Sequence, residues 1–204
     1  MRTPGPLTGS GVSATERVEG NARLTALAGA ALFVLLAGEG VTILAIHRLL
    51  SPHLFIGLLL IPPLALKMAS AGNRFVRYYA GDAAYRAAGP PPLLLRLIAP
   101  VLVASTVVVF ATGVELWLFG LRLGAIWLTA HKASFVLWFV FAAIHVLGHL
   151  ERTPRLALPD LRGDRSVRGA LTRRSLLTAS LVLGVVLALS TVAWQTPFVL
   201  GPDR

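Results

Sequence analysis

The sequence contains no cysteine, and only nine acidic residues stand against 19 Lys and Arg. Without cysteine there are no disulfides, thiolate metal sites, iron–sulfur clusters or covalent c-type haem attachment. Charge of either sign is scarce. Asp, Glu, Lys and Arg make up 14% of the chain, where a soluble domain carries about a quarter. Hydrophobic residues make up 55% and fall in long apolar runs, which defines an integral membrane protein. The net charge of +10 raises nucleic acid as a partner, but the basic residues lie between apolar runs, with no soluble domain to carry a binding face. No nucleic-acid partner is expected, and the lipid membrane is.

An all-α chain with five spans is predicted, at about 24–46, 53–71, 93–119, 125–150 and Leu176 to Trp194. Each approaches or exceeds the roughly 20 residues that cross a bilayer. The second is among the shortest, and Pro62-Pro63 predicts a kink within it. Spans one to four, residues 23–150, are expected to form a four-helix core. Residues 151–175 form a basic loop, and residues 176–204 the fifth span with a short tail. The first 22 residues, rich in Gly, Ser, Thr and Pro, read as a disordered tail. No internal repeat or heptad pattern is present, and no soluble domain is expected after any span, so extended catalytic machinery is expected to belong to a partner.

Orientation follows from the basic residues. With alternating spans, the N-terminus and the connections 67–96 and 151–175 share one side and hold fifteen of the 19 Lys and Arg. Arg48, Arg122, Lys132 and Arg204 take the other. This predicts a cytoplasmic N-terminus and an outer C-terminus in a bacterial plasma membrane. The connection NRFVRYYAGDAAYRAAGPPPLLLR interleaves arginine with Phe75, Tyr78, Tyr79 and Tyr85. It reads as an inner interface belt, with docking of a cytoplasmic partner as the alternative. Thr-Arg-Arg-Ser-Leu-Leu, before the fifth span, resembles a twin-arginine signal, although arginines are expected there from topology alone.

The fourth span, HKASFVLWFVFAAIHVLGHL, carries His131, His145 and His149. At 100° per residue, 14 residues return to within about 40° of the starting direction, so the three form one stripe. His131 lies toward the outer surface, and the other two toward the inner. His47 and His53 add imidazoles at outer depth. Two imidazoles on different helices can complete a haem iron, whose porphyrin supplies four of its six ligands. His53 with His131 is the preferred pair. His47, beside Arg48, reads as interfacial. At inner depth no other span offers a histidine. Met68 is an axial candidate there, Lys67 a partner for a propionate or a quinone oxygen, and His149 also reads as an interface anchor. His145 and His149, at i and i+4, would alternatively hold zinc or copper.

Two acids lie inside spans, Glu39 in GEG and Glu115 in GVEL. Intramembrane acids are candidates for proton or quinone work, and structural hydrogen bonding is the other reading. Glu115, toward the outer end, is expected within reach of His53 or His131, to orient an imidazole through its second nitrogen. Arg48, Arg122 and Lys132 lie where outer propionates would be neutralised.

His131 and His145, fourteen apart, with His53 on another span, resemble the di-haem membrane cytochromes b, including the membrane subunits of formate dehydrogenase and hydrogenase. HLFIGLLLIPPLALKMASAGNRFVRYYAGDAAYRAAGPPPLLLR and HKASFVLWFVFAAIHVLGHL also resemble a small actinobacterial cytochrome-b-like family, over roughly residues 38–152. The sequence departs from the di-haem pattern at the inner site, where no opposing histidine stands. The resemblance implies b-type haem and electron transfer between quinone or a redox partner protein and an outer acceptor. One haem is expected, and a second is left open. The chain is thus expected to be a membrane oxidoreductase or its cytochrome b subunit. The alternatives are a haem-free scaffold that anchors a partner, and a small transporter using the acids and histidines as a proton path.

Overall fold

The computed structural model describes residues 13–164 and 167–191. Residues 1–12 of the expected tail, the last residues of the expected fifth span and the tail with Arg204 lie outside them. Seven helices make up the described chain: α1 (Ala14–Leu44), α2 (Ile46–Tyr79), α3 (Ala83–Ala87), α4 (Leu93–Phe119), α5 (Ile126–His149), α6 (Arg152–Arg162) and α7 (Ala170–Ser190). Five of them, α1, α2, α4, α5 and α7, are long and apolar enough to cross a membrane. Large apolar side chains stand exposed on each, among them Phe33, Phe75, Val107, Phe139 and Val182. Such surface calls for a hydrocarbon solvent, and the chain is a multi-pass membrane protein.

Helix α1 begins ten residues before the span read from hydropathy. Ser13 and Glu16 form a capping box: the Ser13 hydroxyl accepts from the Glu16 N–H at 3.1 Å, and the Glu16 carboxylate accepts from the Ser13 N–H at 2.8 Å. Two orphan donors of the first turn are thereby satisfied. Residues 14–22, expected in the tail, are therefore helical. Residues 151–175, expected as a loop, include α6 and the first turns of α7.

No loop separates α1 from α2. Ala45 alone leaves the helical region (φ −132°, ψ 40°). Within α2 the non-helical residue is Leu49. The dihedrals stay helical through Pro62 and Pro63; Leu49 lies thirteen residues before them and three before Pro52.

The spans pair antiparallel. Where α1 begins, the Asn21 amide donates to the Ser70 carbonyl at 3.0 Å and Thr25 meets the Ser70 hydroxyl at 2.9 Å. Where α1 ends, Glu39 and Thr42 meet His53. In α4 and α5, the Trp138 indole donates to Thr106 at 3.0 Å. The two pairs touch little, along a narrow line between α2 and α4, and the only buried residue of α5 is Ser134. Helix α7 lies on α2, where a Cβ on Gly184 would collide with the Leu59 carbonyl oxygen. A small apolar core of Leu58, Leu59, Trp117 and Ala188 joins α2, α4 and α7.

The bundle has two unlike ends. The hinge end carries the α1–α2 and α4–α5 turns. The basic end carries α3, α6 and the start of α7. There Asp160 of α6, fully buried, accepts both Nε (2.6 Å) and Nη2 (2.8 Å) of Arg173. The first arginine of the twin-arginine-like stretch is thus committed to an internal ion pair.

Candidate functional site

At the hinge end, His53 of α2 and His131 of α5 face each other with ring centroids 6.4 Å apart and planes inclined at 79°. They come from helices that otherwise scarcely touch. Each ring is held from behind. His53 Nδ1 lies 2.9 Å from Glu39 Oε1 and 3.1 Å from Thr42 Oγ1. His131 Nδ1 lies 3.0 Å from the Val109 carbonyl and 3.1 Å from Thr112 Oγ1.

A carbonyl cannot donate, nor can a carboxyl group in its ionised form, so the His131 Nδ1 carries a proton and, opposite an ionised Glu39, the His53 Nδ1 does too. In a neutral imidazole this leaves the Nε2 lone pair free for a metal. Thr42 and Thr112 pass their own protons to the backbone, Thr42 to the Glu39 carbonyl at 2.6 Å and Thr112 to the Val108 carbonyl at 2.8 Å. Gly113 matters for the same ring, since a Cβ there would stand 3.1 Å from His131 Cε1.

The orienting role expected of Glu115 falls to another acid: Glu39 reaches His53, while both carboxyl oxygens of Glu115 are buried without a hydrogen-bond partner. Glu39 sits three residues before Thr42, so both project from one face of α1 toward α2. The spacing in GEGVT was a usable signal. The Val109 carbonyl had none, because a backbone acceptor has no side-chain signature. His47 is exposed, as are Arg48, Arg122 and Lys132 at the same end.

The basic end brings its residues together differently. His145 and His149 stack along α5 with ring centroids 4.6 Å apart. Lys67 of α2 stands in electrostatic reach of both. Its ammonium donates to the Thr25 carbonyl at 3.3 Å. Met68 follows one residue later, about 100° round the helix, so Lys67 and Met68 do not share a face. His145 Nδ1 is buried with no partner. Among the described residues no three His, Asp or Glu side chains converge as a metal site, so a bare zinc or copper ion finds at most two ligands in His145 and His149.

Comparison with family models, curated proteins and solved structures gives no match. The functional reading therefore stands on geometry.

Proposed function

We propose that the chain is a b-type cytochrome of a bacterial plasma membrane, or the cytochrome subunit of a membrane oxidoreductase. It would hold one haem between His53 and His131 at the outer side. Electrons would pass between quinone or a redox partner protein and an outer acceptor. The observation that carries the reading is the pair of opposed imidazoles, each with its Nδ1 proton committed behind it. An iron held between two imidazoles, with metal–nitrogen bonds of about 2 Å, sets the ring centres roughly 6 Å apart. The 6.4 Å between His53 and His131 fits that span.

When bound, haem b supplies one-electron exchange at its iron. The chain's residues do the rest. Glu39 and the Val109 carbonyl fix the tautomers and aim the two Nε2 lone pairs. Gly113 leaves room for the His131 ring. Arg48, Arg122 and Lys132 would offset propionate charge at this end. The excess of Lys and Arg at the basic end supports a cytoplasmic N-terminus, with the histidine pair on the outer side.

The test is a reduced-minus-oxidised visible spectrum of the full chain, purified after expression with ample haem. A b-type α band is expected. His53→Ala or His131→Ala should abolish it, and His47→Ala should leave it intact. A wild-type preparation without the band would sink the proposal.

A further inference from the structure

Two rows of basic groups approach each other at the basic end. On α2, Lys67 and Arg74 lie seven residues apart, two turns along one face. Opposite them stand His145, His149 and Arg152, at i, i+4 and i+7, where Leu150 and Glu151 keep helical dihedrals. The rows are in electrostatic reach: Lys67 of both histidines, Arg74 of His149, and Arg152 of His149 and Arg74.

None of the five has an acidic partner among the described residues. The ion pairs of this end use other cations: Arg155 with Glu151 at 3.3 Å, Arg77 with Asp82 at 3.2 Å and Arg173 with Asp160. Lys67 and Arg74 find only neutral oxygens, the Thr25 carbonyl and the Gly89 carbonyl at 3.1 Å. Room for Lys67 is made by Gly29, where a Cβ would stand 2.8 Å from its ammonium. His145 Nδ1 is buried and unpaired. An open groove lined by Leu147, Gly148, Glu151, Arg152 and Arg155 runs alongside, at the α5–α6 junction.

Lys67, Arg74 and Arg152 are cations, and cations gathered beside hydrocarbon without a counter-ion repel one another and lose hydration. We infer that the missing counter-ion is a ligand: the cluster binds the phosphate of an anionic phospholipid. Basic pockets between membrane helices on the cytoplasmic side take such headgroups. Arg74, His149 and Arg152 sit at the mouth, while Lys67 and His145 lie deeper. Exposed Leu147 and Leu150 beside the mouth offer apolar surface to acyl chains. The site is separate from the histidine pair and does not depend on haem.

The test uses the full chain in a neutral detergent, with thermal unfolding followed as lipid is titrated in mixed micelles. Phosphatidylglycerol should raise the midpoint in a saturable way, and phosphatidylcholine should not. The double variant Lys67→Gln/Arg74→Gln should weaken the phosphatidylglycerol response by about 30-fold, from about 1 kcal/mol per basic residue. Arg96→Gln/Arg162→Gln removes the same charge from the same end outside the cluster, and should keep the wild-type response. If both double variants lose it equally, only general surface charge is at work and the inference falls. Inorganic phosphate producing the full response would likewise overturn the lipid assignment. Should the first double variant fail to fold, His149→Asn/Arg152→Gln at the mouth carries the test, with the same expected loss.

Discussion

At the hinge end, both facing imidazoles have their Nδ1 protons taken by acceptors within 3.1 Å. At the basic end, His145 Nδ1 is buried with nothing to bond and Lys67 has only a carbonyl. Both ends use histidines on the same helix, α5, facing a polar residue of α2. The difference lies in the second layer. Behind His53 and His131 stand an acid, a carbonyl and two threonines, so the rings are fixed before any ligand arrives. Behind Lys67 and His145 nothing comparable stands, and the charge there is left for a ligand to answer. A preorganised site and an unanswered one can therefore share a single helix.

The sharpest way to separate the ends is through the buried arginine–carboxylate pair that the chain completes by itself. Asp160→Ala strands Arg173, which is only 8% exposed, and should cost about 3–5 kcal/mol. A large drop in thermal stability is expected, and the haem band of surviving protein should be unchanged. Gly184→Ala presses α7 off the Leu59 backbone and should cost about 1–3 kcal/mol, read as a lowered unfolding midpoint. Glu39→Gln tests the hinge end alone. Haem should stay bound, while the midpoint potential rises by roughly tens of millivolts, because a carboxylate behind the ring raises ligand basicity. Thr112→Val should move the potential less, since the Val109 carbonyl still holds the His131 proton. Equal shifts from both would erase the role assigned to Glu39.

The smallest effect concerns α3. Burial opposes ionisation of its N-cap, Asp82, but the backbone N–H groups of Tyr85 and Ala84, with Arg77, hold the carboxyl below its ordinary value of 3.8. A depressed carboxyl stabilises the fold at pH above its unfolded value and loses that contribution as pH falls through its folded one. Amides of Ala84 and Tyr85 should exchange faster with deuterium as pH drops below about 4, after correction for intrinsic exchange rates, while those near His131 should not.

The five spans were legible because each is a long apolar run, a signal set by solvent rather than by neighbours. The His53–His131 juxtaposition was legible from depth, since both lie a few residues inside the hinge end of their helices. The partner of each ring was not. Choosing Glu39 over Glu115 needs the rotation of α1 and α4 about their axes, which packing fixes and hydropathy does not. The break at Leu49 was not read either, although Pro52 stands three residues on: with three prolines in α2, composition does not say which one accompanies a break. The Ser-Ala-Thr-Glu box was readable by its spacing and lost in a stretch judged by composition. Asp160 carried no sign of burial in the sequence, because its partner lies across the α6–α7 turn.

The short hinge from Ala45 to Leu49 also sets an order of events during synthesis. Glu39, Thr42 and His53 lie within fifteen residues, so their half of the histidine site closes a very short loop at little entropic cost. That half can assemble as soon as the first two spans have left the ribosome. His131 follows almost eighty residues later. For that interval a finished imidazole waits in the membrane with one face open. Under the proposed function, haem capture would then belong to the late stage of assembly, when α4 and α5 arrive as a pair and bring His131 opposite His53.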